Sequence, residues 1–164
     1  MPHSLRIGIF FCLCLAAPGA GAADGRERLA AAADLCRAGD HEAALAAYTA
    51  LAQDLEAPSE RFDAISAAAR CARLHLRSEA RAFALCDLLE EGAWRLGCRA
   101  VLHQWSGSPD RVLQDLDGVD FLTWPDRLAG TAFTVRGLAH YHKRNAREAV
   151  DDFVHAYQFC SGNE

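Results

Sequence analysis

Two segments of this chain, 105 residues apart, carry the same spaced pattern of small and large residues: Ala32, Ala44, Tyr48, Leu51 in the first and Gly137, Ala149, Phe153, Ala156 in the second. In both, a small residue is followed twelve later by alanine, four later by an aromatic and three later by an apolar residue. Steps of four and three keep side chains on one face of a helix. The dipeptides Gly39-Asp40 and Arg144-Asn145 fall where one helix must stop and the next begin,. A chain with this pattern folds as helix, tight turn, helix. The separation is close to three periods of about 34 residues, so two worn copies belong between the clear ones.

Composition supports the helical reading. Alanine supplies about a fifth of the residues and no stretch alternates apolar and polar as a half-buried strand does,. Alanine enters a helix at the least cost, and its small side chain lets helices approach closely. The net charge of -5 argues against a nucleic-acid surface, because phosphate binding needs a basic patch,.

The first residues have a different character. Arg6 precedes an apolar run from Ile7 to Ala17, followed by Pro18-Gly19 and the small residues Ala20, Gly21, Ala22 and Ala23. This is the pattern of a secretory signal, too short to span a bilayer. Residues 1–23 are expected to be a signal peptide cleaved after Ala22 or Ala23, leaving 24–164 as one domain in the periplasm or outside the cell. No other membrane contact is expected.

The mature part parses into eight helices in units of about 26–57, 58–91, 92–122 and 123–160. The first helix is placed over 26–38 and the second over 42–55, with Gly39 as left-handed cap and Asp40 as N-cap. Pro58 opens the third helix, and Ser78 caps a fourth expected to reach Glu91-Gly92,. In that unit Ala82, Cys86 and Leu89 fill the repeated places, but a shift of two residues to Ala80 and Ala84 fits nearly as well. In the third unit the spacing selects Ala100, Val112, Leu116 and Val119.

Residues of about 26–160 resemble tetratricopeptide repeats, most clearly in the first and last units. The resemblance implies an all-α right-handed solenoid of about four antiparallel helix pairs. It also implies a concave groove, lined by the first helix of each pair, that binds a peptide or protein without chemistry of its own. Matched onto this sequence, the groove positions include Arg37, His75, Trp94, Val101, Gln104, Trp105, Thr134, Leu138, Tyr141 and His142. Trp94 and Trp105 have an alternative role as space-fillers between helix pairs. The basic and asparagine clamp that some family members use on chaperone tails is missing, its places being held by Leu29, Ala33 and Cys36. The expected function is an exported, non-enzymatic adaptor for a protein or peptide. The alternative is an assembly module, or a piece of a longer array, whose last helix offers Val150, Phe153, Val154 and Tyr157 to another copy or chain.

Catalytic and metal motifs do not emerge from the spacing. His140 and His142 lie two apart, about 200° around a helix, and cannot grip one metal together. No catalytic residue, metal ligand or cofactor is therefore assigned. Five cysteines follow the signal: Cys36, Cys71, Cys86, Cys98 and Cys160. Cys36 and Cys71 are 35 apart and fall at equivalent places of adjacent units. Buried free thiols, a Cys36–Cys71 bridge and a Cys86–Cys98 bridge all fit the spacing.

Overall fold

The four positions that precede the repeated small residue of each second helix fold alike. In a computed structural model, which describes residues 20–90 and 92–161, one residue in each of four turns has a left-handed backbone: Gly39 (φ 90°), Arg77 (φ 52°), Gly107 (φ 66°) and Arg144 (φ 64°). The next residue is Asp40, Ser78, Ser108 or Asn145, and its N–H bonds back to the carbonyl of Leu35, Ala72, His103 or His140 at 2.9–3.0 Å. Its own carbonyl then accepts from the N–H of Ala44, Ala82, Val112 or Ala149, starting the following helix. A left-handed residue satisfies the last carbonyls of one helix, and a short polar residue opens the next. At Asp40 and Ser78 the side-chain oxygen also accepts from the N–H three residues on.

These turns join α1 (Ala20–Ala38) to α2 (His41–Asp54), α3 (Pro58–Leu74) to α4 (Glu79–Cys86), α5 (Ala93–Trp105) to α6 (Pro109–Leu116), and α7 (Asp126–His142) to α8 (Ala146–Ser161). A short 3-10 turn, Phe121–Thr123, precedes α7. The described residues are thus all-helical, with no strand. The signal-peptide reading falls mostly on residues 1–19, outside the described residues. Among those described, no helix is long and apolar enough to cross a membrane.

Each helix packs on the next, and the odd-numbered helices also touch in succession, α1 on α3, α3 on α5 and α5 on α7. Burial follows the repeated pattern: Ala44, Tyr48 and Leu51 on α2, Val112 and Leu116 on α6, and Ala149 and Ala156 on α8 are all buried. In the second unit the structure resolves the register. Ala82, Cys86 and Leu89 are buried, whereas Ala80 and Ala84 are exposed. The core runs as two adjoining clusters, and Trp105 and Trp124 touch both.

Two boundaries need correction. The first helix begins at Ala20, not near Arg26. The fourth ends at Cys86, well short of Glu91-Gly92. There the chain turns so that Leu89 is buried while Asp87 and Leu88 stay exposed, and Cys86 forms a disulfide with Cys98 on α5 across 5.7 Å between Cα atoms. Arg95 holds this junction from the other side, donating to the Leu89 carbonyl at 2.8 and 3.0 Å.

Longer-range ion pairs fix neighbouring elements. Arg127 on α7 grips Asp63 on α3 through two bonds of 2.6 and 2.7 Å. Arg136 on α7 binds Asp152 on α8 in the same forked manner, with distances from 2.6 to 3.2 Å, and lies over the Phe121 ring at 4.5 Å. Paired oxygens opposite a planar guanidinium give the strongest hydrogen-bonded form of ion pair.

Candidate functional site

The sequence-derived groove residues do not share one environment. Val101 is only 4% exposed and belongs to the core. Trp94 is half-buried against Phe62, with ring centroids 5.3 Å apart, and Trp105 is half-buried between the two core clusters. Both indoles therefore have packing partners inside the molecule. Gln104, Thr134 and Leu138 are half-buried, and the Thr134 hydroxyl donates to the Gly130 carbonyl at 2.8 Å. Tyr141 is 60% exposed with the His142 ring beside it, while Arg37, also exposed, is paired with Asp34.

The last helix presents a more coherent surface. Val150, Phe153, Val154 and Tyr157 are all exposed, Tyr157 at 72%. Their successive spacings of three, one and three put them in one stripe along α8. The adjoining face of α8 carries Ala149, Asp152 and Ala156, buried against α7, and the Phe153 ring lies at the border, against Gly137. A depression of about 580 Å³ lies between α2 and α4. It is lined by Leu45, Thr49, Leu85 and Leu88 and crossed by an Arg81–Glu42 ion pair with two bonds of 2.8 Å.

A third feature was not anticipated from the sequence. Cys36 in the last turn of α1, His41 in the first turn of α2, and Cys71 and His75 at the end of α3 meet at one place. Cys36 Sγ lies 3.8 Å from His41 Nδ1 and 3.7 Å from Cys71 Sγ. The His41 and His75 rings stack with centroids 4.2 Å apart and planes 19° from parallel. One ligand atom from each of Cys36, His41 and His75 lies within 4.8 Å of the others. The Cys71 thiol donates to the His41 carbonyl at 3.5 Å. Burial first, and then the hydrogen bond from Cys36, push that thiol up to about 11.

The structure explains how the sequence places this cluster. Gly39 and Asp40 reverse the chain between Cys36 and His41, so residues five apart face each other across the turn. Cys71 and His75 are four apart, one turn of one helix, and so share a face. The signal available in the sequence was this pair of spacings, Cys36 to His41 and Cys71 to His75, inside two units already in register.

His103 on α5 is a buried imidazole. It packs against Phe83 at 4.7 Å and approaches Asp115 at 3.4 Å, and its Nδ1 has no hydrogen-bond partner. Burial lowers its pKa, against the opposing charge of Asp115. Enclosed by α4, α5 and α6, it serves the core.

No family model, curated protein or solved structure matches the chain.

Proposed function

We propose that the chain is a non-enzymatic, exported interaction protein, a right-handed α-solenoid of four antiparallel helix pairs that holds a helix of a partner protein against α8. The observation that carries this reading is the exposed apolar stripe that Val150 and Val154 form on α8, flanked by Phe153. Within the molecule, the corresponding aromatic of α2, Tyr48, is buried, and α3 packs on α2. The face of α3 is rich in small residues, with Ala64, Ala68, Ala69 and Ala72 buried. A partner helix of that kind, alanine-rich along one side, fits the stripe on α8. Contiguous apolar surface of this sort marks interaction sites on soluble proteins.

The repeated turns and the succession of odd-numbered helix contacts support the tetratricopeptide-like solenoid. Export to the periplasm or beyond is supported by the pattern in residues 1–23 and by the Cys86–Cys98 disulfide, a bond typical of oxidising compartments,. A second reading places the partner against the first helices of the pairs, and exposed Tyr141 with His142 favours it.

The test compares Val154→Glu with Tyr141→Ala in partner capture and in solution mass by light scattering. Capture lost only in Val154→Glu supports docking on α8, and loss only in Tyr141→Ala transfers the site to the groove. A concentration-dependent doubling of mass that Val154→Glu abolishes identifies the partner as a second copy. Capture and mass unchanged in both variants overturn the proposal.

A further inference from the structure

The geometry points to a metal site in which Cys36, His41, Cys71 and His75 bind one zinc ion and tie the first helix pair to the second. Two thiolates and two imidazoles in a tetrahedron are a donor set suited to this borderline-soft ion. With Zn–S near 2.3 Å and Zn–N near 2.05 Å, such a tetrahedron places its sulfurs about 3.8 Å apart and a sulfur and nitrogen about 3.5 Å apart. The distances here are 3.7 Å between Cys36 and Cys71 Sγ and 3.8 Å from Cys36 Sγ to His41 Nδ1. Cys36, His41 and His75 already bring one ligand atom each within 4.8 Å of one another, and Cys71 joins them through Cys36. His75 completes the set from the solvent side, being exposed, while Cys71 is buried beneath.

The charge also balances. On binding, the two thiols lose their protons to solvent and the two thiolates neutralise the divalent ion, so the closed site carries no net charge. That suits a half-buried position. Neighbouring polar groups are occupied elsewhere: Asp40 caps α2 through the Ala43 N–H, Glu42 pairs with Arg81 and Asp34 pairs with Arg37. The four ligands come from three helices and from both sides of the first turn. A closed four-ligand site of this kind contributes directly to folding.

The site is tested by titrating the reduced full chain with Co²⁺ alone and then with Zn²⁺ alone. The expected result is one equivalent of Co²⁺ with intense visible bands of tetrahedral cobalt and near-ultraviolet thiolate-to-cobalt charge transfer, both bleached by Zn²⁺. Zn²⁺ should also raise the melting temperature. Cys36→Ser should abolish the charge-transfer band. His75→Gln changes an exposed residue and should leave the fold intact, yet weaken affinity by at least the roughly 10–100-fold that follows loss of an outer-shell partner. A weak six-coordinate spectrum from the reduced chain overturns the site. So does a thiolate signature that survives Cys36→Ser, which would place the ligands at other cysteines, or affinity unchanged in His75→Gln.

Discussion

The second helices of the first and last pairs, α2 and α8, carry the same small, aromatic, apolar pattern but meet different surroundings. Tyr48 on α2 is 3% exposed, whereas Phe153 on α8 is 36% exposed. Each packs against the helix that precedes it. Only α2 is also covered by the helix that follows, whose residues Ala64, Ile65 and Ala68 are buried. The aromatic place of the repeat is closed from two sides on α2, and on α8 no further described helix closes the second side. The outer faces differ in the same sense: α2 turns Glu42, Ala46, Ala50 and Gln53 outward, and α8 turns Val150, Val154 and Tyr157 outward.

The contrast is broken most directly by truncating both aromatics. Tyr48→Ala should cost about 3–5 kcal/mol in urea unfolding, the range for a large core aromatic. Phe153→Ala should cost about 1 kcal/mol, since more than a third of the residue is already in water,. Equal losses would mean that the two positions are equivalent after all. Next in size is Asp152→Ala, which strands Arg136 between α7 and the Phe121 ring. A loss of about 3 kcal/mol is expected. Because Asp152 is buried, that loss should change little with added salt,.

The turns sharpen the comparison at smaller amplitude. The first pair turns at Gly39 and the last at Arg144, both left-handed. Gly39→Ala should cost about 1 kcal/mol, and Arg144→Gly should gain about 0.5 kcal/mol once the greater chain entropy of glycine is offset. Denaturant midpoints of the two variants measure the asymmetry. Smallest of all on stability is Val154→Glu, within about 0.5 kcal/mol of the parent in the isolated chain. If that substitution instead lowers the denaturation midpoint strongly, the α8 face is covered by something in the parent protein.

The turn between the first two helices was legible because glycine followed by aspartate states both its backbone conformation and its capping chemistry. The turn at Arg77-Ser78 was legible only by its cap, since arginine gives no sign of a left-handed backbone. The register of α4 could not be chosen from residue types: Ala80, Ala82 and Ala84 are chemically alike, and only packing buries Ala82. The end of α4 depended on Cys86 meeting Cys98, a contact made by the next pair. Trp94 and Trp105 show the same limit, because an indole suits both a groove and a core, and neighbouring helices decide between them. The cluster at Cys36, His41, Cys71 and His75 escaped for another reason. The two cysteines were visible as equivalent places, but His41 belongs to a different helix of its pair and joins them only when the turn closes.

The Cys86–Cys98 bond also gives the molecule a mechanical property. It spans the junction of α4 and α5, where contact between successive helices is slight. If the two ends were drawn apart, helix pairs held only by non-covalent contacts would peel away and lengthen. The segment between these cysteines, a separation of 12 residues, would not, and about 40 Å of extended chain would stay locked,. Under tension the segment from Cys86 to Cys98 is a short inextensible link, and reduction of that one bond is what would release it.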